Sequence, residues 1–469
     1  MSRPKVGLLL LTAEWFAQIG AHGGSFSAFP GHLAGDAEAM EKALSVSLDV
    51  ISSGIAVTRA QVADAVASFT RESVDAVVVC HLTWAEDWLV LGAVEALPTV
   101  PLLLWCYSPF EKLADPLTMP EMLRASGPVG TLQASGPLKR LQRRFGFAFG
   151  SYADPAAIRS IVAFARAAQA ARALRRVTIG VLPYRCDQMT GTYVDEFRLR
   201  HELGPALRYI STHDYLAFCE AIPATAVEAF VTELSARYAL APNTTLAGLR
   251  KAARVSLGLA ELVRRYDLDA IAIEDVGEEL HRVVGLRPCL PVAALFDRAV
   301  VSMEAEIGGA VALLLLRMFS GGSPMYTEIF TVDPAENAIL IGHAGMHNAP
   351  ALVEQPEDIL VEPDGEYVES EPDSAWMRFR ARGGHVTLLS VFCDVERFKL
   401  VISSGECVGG PPRLLGSPHA YVRLGTPLAS FFEAAARTGM TQHWALVHAD
   451  VVAELQALAG ILDLECVVI

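Results

Sequence analysis

The chain reads as an α/β protein, with two doubly wound parallel-sheet domains followed by a mostly antiparallel, β-barrel-like C-terminal domain. Three observations predict this. Short runs of Val, Leu and Ile alternate with helical stretches over the first third, and strands that are apolar throughout and separated by helices belong to parallel sheets covered on both faces. The same alternation restarts near Arg175, after the long Ala/Arg-rich stretch Ala156–Leu174. After Gly321-Gly322 the texture changes to short strands separated by turn signals such as Asp333-Pro334, Pro363-Asp364-Gly365 and Gly409-Gly410-Pro411-Pro412, the pattern of antiparallel sheets and barrels. The predicted domains are residues 1–172, 173–322 and 323–469.

In chain order, strands are expected at Val6–Leu11, Leu48–Ile55, Val74–Cys80 and Val100–Trp105, with helices at Asp36–Ser45, Arg59–Glu72 and Trp84–Leu97. The second unit is expected to hold strands at Arg176–Leu182, Ala206–Ile210, Ala270–Glu274 and Pro291–Leu295, with helices at Ala226–Tyr238 and Leu246–Tyr266. The run Val300–Met303 then delivers Glu304 and Glu306 into an apolar helix, Ile307–Phe319. Later strands are expected at Met325–Thr331, Ala338–Gly342, Trp376–Ala381, His385–Val391, Phe398–Glu406, Tyr421–Leu424 and Leu464–Ile469.

Composition bounds the function. At 469 residues, 52% of them apolar and 19% charged, the chain can bury a large core. A net charge of −15 argues against a nucleic-acid surface, which needs clustered Lys and Arg to displace counterions. The short basic cluster Lys139, Arg140, Arg143 and Arg144 reads as a solvated helix face. Eight cysteines without a Cys-x-x-Cys pair point to buried thiols in a reducing compartment. The first apolar run leads into Ala13-Glu14-Trp15 with no small-residue cleavage site, so it is expected to be a core strand rather than a signal segment. The apolar run Ile307–Leu316 falls short of the ~20 residues that span a bilayer. A soluble, cytoplasmic protein without a membrane partner is the expectation.

Candidate chemistry lies at strand ends. Parallel sheets bind ligands at the carboxyl ends of their strands, which here carry Trp15, His81 and Trp84, residues equally suited to packing under loops. The polar turn from Tyr184 through Met189 follows the first strand of the second unit as a binding loop would. Fingerprints for dinucleotides, nucleoside triphosphates, a nucleophile elbow and a His-Glu-x-x-His zinc site are absent. What remains is Glu304, Glu306, Glu328, His343, His347, His443 and His448. Carboxylates placed where apolar strands stop are costly unless paired or metal-bound, and carboxylates with imidazoles suit a divalent ion of intermediate hardness, Mn²⁺ first. Each also has an ordinary reading. Glu306, for one, can complement the dipole of the helix it precedes.

Several of these motifs resemble those of the L-fucose and L-arabinose isomerases, which are metal-dependent ketol isomerases. The acid-x-acid pair Glu304-Ala305-Glu306 entering Ile307-Gly308-Gly309 is similar to theirs, as is the strand acid Glu328. The turn His343 to Pro350, the pair Gln442-His443 and the closing strand Leu464–Ile469 match in the same way. The resemblance implies Glu304, Glu328, His343 and His443 as metal ligands, with Glu304 and Glu328 as the acid/base pair. It also implies a monosaccharide substrate, an enediol route and a homo-oligomer, trimer or hexamer. The His343 turn carries two extra residues, Met346 and His347, which leaves His343 or His347 as the ligand and the other beside the substrate. Gln442 stands where arabinose isomerases keep a second His and joins the expected substrate contacts. The alternative is a non-catalytic sugar-binding or regulatory protein built from two α/β lobes.

Overall fold

In the computed structural model, which describes residues 2–21, 23–367 and 371–469, the first sheet is parallel throughout. Its strands are β1 (Lys5–Leu11), β2 (Asp49–Ala56), β3 (Ala76–His81), β4 (Leu102–Cys106) and β5 (Gly146–Phe149), in the order β2-β1-β3-β4-β5. Successive strand residues alternate between faces, and here both faces are dry. Val6, Leu8, Leu10, Val78 and Cys80 pack under Phe29 and Leu33, while Leu9, Leu11, Val77 and Val79 pack under Phe69 and Leu89. The expected helix at Asp36–Ser45 begins earlier, at Phe29, with Pro30 in its first turn, where a missing N–H costs nothing.

The chain continues with β6 (Thr178–Leu182), β7 (Ala206–Tyr209), β8 (Ala239–Leu240), β9 (Ala270–Ile273) and β10 (Val300–Met303). All but β8 form a second parallel sheet in the order β10-β9-β6-β7. One expected strand is absent: Pro291–Leu295 leads instead into the helix Ala293–Arg298, whose first turn closes on the carbonyl of Val292. A five-residue apolar run carries no period by which strand and helix can be separated.

Nine strands follow: β11 (Met325–Asp333), β12 (Ala338–Gly342), β13 (Leu360–Glu362), β14 (Trp376–Arg378), β15 (Gly384–Cys393), β16 (Phe398–Cys407), β17 (His419–Leu424), β18 (His443–Val447) and β19 (Glu465–Val468). β14, β13 and β8 make a small ribbon. The others run β15-β18-β11-β12-β17-β16 in antiparallel pairs, and a β15–β16 pairing returns the series to its start. β19 adds to β16 in parallel. The expected mostly antiparallel barrel is therefore a mixed-strand domain with ring-like topology.

Two compact units result, Met1–Arg172 with Ala453–Asp463, and Ala173–Val452 with Leu464–Ile469. The middle sheet and the ring share the second. Between them lies the helix Ile307–Ser320, buried along nearly its whole length against β9, β10, β15 and β18, as expected of a helix that is apolar all round. Its first turn needs glycine. A Cβ on Gly308 would lie 2.0 Å from the carbonyl of Val391, and one on Gly309 2.4 Å from the Tyr326 ring and 2.6 Å from Glu306 Oε2. No single helix among the described residues is long and apolar enough to cross a membrane, and all eight cysteines are free.

Candidate metal centre

The site grows out of the turn between β10 and the buried helix. Glu304 and Ala305 both adopt left-handed backbone, with φ of 58° and 51°. Such conformations cost about 1–3 kcal/mol each in residues other than glycine and persist only where the surroundings impose them. Here the Ala305 N–H donates to the Ile273 carbonyl at 2.8 Å, and the Glu304 N–H donates to Asp275 Oδ1 at 3.0 Å. Both acceptors lie at or just past the end of β9.

Two imidazoles meet the Glu304 carboxylate. His343 follows the last residue of β12, and His443 is the first residue of β18. His443 Nε2 lies 2.9 Å from Glu304 Oε2, and His343 Nε2 lies 3.6 Å from Oε1. Ligand atoms of Glu304, His343 and His443 fall within 4.8 Å of one another, all on buried residues. Despite this closeness, Glu304 Oε2 and the Nε2 atoms of both histidines have no aligned hydrogen-bond partner. Without a metal, protons on the imidazoles balance the Glu304 charge; a divalent cation would take the place of those protons among the same atoms. These residues fit a divalent cation.

The surrounding residues orient the ligands. The Nδ1 of His343 faces the Ala344 carbonyl at 2.8 Å, which leaves Nε2 for the site. The Nδ1 of His443 faces Glu306 Oε2 at 3.2 Å. Such a carbonyl or carboxylate behind a ligating imidazole fixes the ring and its tautomer. Glu306 is held in turn by the Tyr326 hydroxyl and the Thr441 hydroxyl, each donating at 2.8 Å. It stands at the N-cap of the helix without a side-chain cap bond, and its carboxylate faces His443.

Charge follows the geometry. Burial works to raise the Glu304 carboxyl, but the two imidazoles outweigh it and hold the group far below the usual carboxylate range. Burial likewise opposes charge on His443, yet Glu306 and Glu304 push its pKa up to about 10. Glu328 behaves oppositely. It sits on β11 opposite Gly342 of β12 and His443 of β18, and alternation puts it on the same face as Tyr326. Burial raises its carboxyl above the ordinary value, with the Glu304 charge adding and the two histidines opposing.

The other sequence candidates fall in both compact units. His347 is buried, its Nε2 2.7 Å from the His343 carbonyl, and burial lowers its pKa to about 4; the cation cluster takes His343. Gln442 and Met189 touch, with Nε2 3.3 Å from Sδ. Trp15, His81 and Trp84 belong to the first unit. Trp15 is half exposed, Trp84 donates to Gln133 at 2.7 Å, and His81 is fully buried with both ring nitrogens unpartnered. His448 contacts the Arg382 carbonyl through Nε2 at 2.8 Å. Asp275 and Arg287, both within 3% of full burial, are not among the sequence candidates; what marks them is whom they meet, Asp275 the Glu304 N–H and Arg287 the carboxylates of Asp275 and Asp364.

A sulfoquinovose isomerase from Alkalicoccus urumqiensis is 23% identical over 403 residues, covering 84% of this chain and 86% of its own. One from Priestia megaterium is 22% identical over 400 residues, covering 85% and 86%. The chain is a divergent relative of sugar isomerases. An L-arabinose isomerase from Clostridium beijerinckii adds 25% identity over 221 residues, 46% of this chain and 43% of its own. The expected kinship is met at the level of sugar isomerases, without singling out the L-fucose or L-arabinose type, and the sulfoquinovose isomerases align over the longer stretch. No family model matches the chain. A solute-binding protein from Actinobacillus succinogenes with bound D-allose covers 67% of the chain and 91% of its own at 12% identity, with a TM-score of 0.16 that carries no argument. The kinship and the buried Glu/His cluster together support a metal-assisted isomerase.

Proposed function

We propose that this chain is an aldose–ketose isomerase acting on a monosaccharide through an enediol, with Mn²⁺ as its metal. The observation that carries the reading is the convergence of one ligand atom each from the buried Glu304, His343 and His443 to within 4.8 Å of one another. A divalent ion held there, with Glu328 alongside, would polarise the sugar's O1 and O2 oxygens and acidify the C2 proton.

The protein's own groups divide the proton traffic. Glu304, clamped between two imidazoles, stays a carboxylate. Glu328, whose carboxyl burial raises, takes the C2 proton and returns it to C1, while the O2 hydroxyl proton passes to O1, so that aldose and ketose keep the same mass. A carboxyl with a raised pKa can hold a proton in one half-reaction and release it in the other. The Tyr326 hydroxyl keeps Glu306 behind His443, so the imidazole cannot turn away from the site.

The test is a panel of aldoses and ketoses, including sulfoquinovose, L-arabinose and L-fucose, incubated with enzyme and Mn²⁺. One sugar should interconvert with its ketose at unchanged mass, and EDTA should stop it. No interconversion with any sugar, or a rate indifferent to EDTA, would reject the reading.

Metal uptake should also be linked to pH. With His443 raised to about 10 in the metal-free protein, its imidazole carries a proton at neutral pH, and a cation must displace it. Affinity for Mn²⁺ should therefore rise about tenfold per pH unit between about pH 7 and pH 9. Calorimetry in buffers of different ionisation enthalpy should show at least one proton released. A dissociation constant flat across that range would mean that His443 is not displaced.

A further inference from the structure

Behind the metal centre lies a second buried charge cluster that the proposed chemistry does not use. Asp275, Arg287 and Asp364 are 1%, 3% and 3% exposed. A guanidinium this deep is tolerated only when its donors are matched, and here they are. Arg287 grips Asp364 with two parallel bonds of 2.8 and 2.9 Å, reaches Asp275 Oδ2 at 3.0 Å and Glu366 Oε2 at 2.8 Å.

This spends one oxygen of Asp275 on Arg287. The other, Oδ1, accepts the Glu304 N–H at 3.0 Å. That N–H belongs to the first of two consecutive left-handed residues, a turn that needs outside support to persist. The Asp275 carbonyl is held as well, by the Tyr367 hydroxyl at 3.3 Å and against His281 Nε2 at 3.0 Å.

We propose that Asp275 is a positioning residue. Arg287 fixes the Asp275 carboxylate, and Asp275 holds the Glu304 backbone in the conformation that aims its side chain at His343 and His443. Through Asp364 and Glu366 the same guanidinium ties the stretch after β13 to the site. The consequence for metal binding rests on the proposed reading of Glu304, whereas the backbone consequence does not.

A merely structural ion pair and a positioning device separate in two variants of the full chain. Asp275→Asn keeps an oxygen for the Glu304 N–H but loses the charge facing Arg287, whereas Asp275→Ala loses both. Both should melt lower than wild type. Mn²⁺ affinity should fall about 10- to 100-fold in Asp275→Ala and stay within about threefold in Asp275→Asn. Equal affinity in the two, or affinity that follows melting temperature, overturns the proposal. If Asp275→Ala does not fold, a folded Asp275→Asn that binds Mn²⁺ ten or more times more weakly overturns it alone. If wild type binds no Mn²⁺, the metal reading fails and crystal structures of the variants decide. Positive φ at Glu304 kept in Asp275→Asn and lost in Asp275→Ala supports positioning, and an unchanged turn in Asp275→Ala refutes it.

Discussion

Glu304→Gln should give a folded protein that neither holds a divalent ion nor isomerises sugar. The substitution is nearly isosteric, and the Glu304 backbone bond to Asp275 does not involve the side chain, so the turn should stand. What disappears is the carboxylate of the Glu304, His343 and His443 cluster, and with it the negative charge that favours a cation between two imidazoles. His443 keeps Glu306 on its other side, so its ring should stay in place while the carboxylate between the two imidazoles is gone. Turnover should fall by at least about a thousandfold, since both the electrostatic stabilisation and the orientation of substrate depend on the ion. Circular dichroism, Mn²⁺ calorimetry and the sugar assay read the three parts. Near-wild-type turnover would remove Glu304 from the reaction.

Glu328→Gln should separate chemistry from metal binding. Glu328 shares the face of β11 with Tyr326 but stands outside the three-residue cluster, so its loss should weaken Mn²⁺ binding far less than the loss of Glu304. Turnover should nevertheless drop about 10²–10⁴-fold, the usual contribution of a positioned acid/base group. The sign of the pH dependence follows from its carboxyl, which burial raises. The base must be deprotonated, so wild-type activity should fall on the acid side as Glu328 takes up a proton. The residual activity of Glu328→Gln should lack that acid limb. A variant that retains both turnover and the limb would show that another group moves the proton.

Candidates are legible in the sequence because ionisable residues in or beside apolar runs contradict their surroundings, whereas the four proposed as a ligand set come from the resemblance to the L-fucose and L-arabinose isomerases. Glu304 after Val300–Met303, Glu328 within Met325–Asp333 and His343 after Ala338–Gly342 each announced a local conflict. The two parallel sheets were legible for a related reason, since strands such as Val77–Cys80 have no polar face to give to water. What sequence did not carry was partnership. The bond from Glu304 to Asp275, and the fork of Arg287 on Asp364, join residues far apart in the chain, and nothing in local periodicity records who meets whom. The pairing of β15 with β16 that returns the ring to its start was hidden in the same way. Glu306 reads in the sequence as either a site candidate or a helix-start acid, and only the fold shows Tyr326 and Thr441 holding it behind His443.

The central claim is that one cation sits among Glu304, His343 and His443. Anomalous diffraction at the manganese edge, from crystals grown with Mn²⁺, locates such an ion without reference to activity. The account predicts a single strong peak within bonding distance of Glu304 and of the Nε2 atoms of both histidines. Crystals of Mn²⁺-saturated protein with no peak there, or with the peak at another cluster, would contradict it.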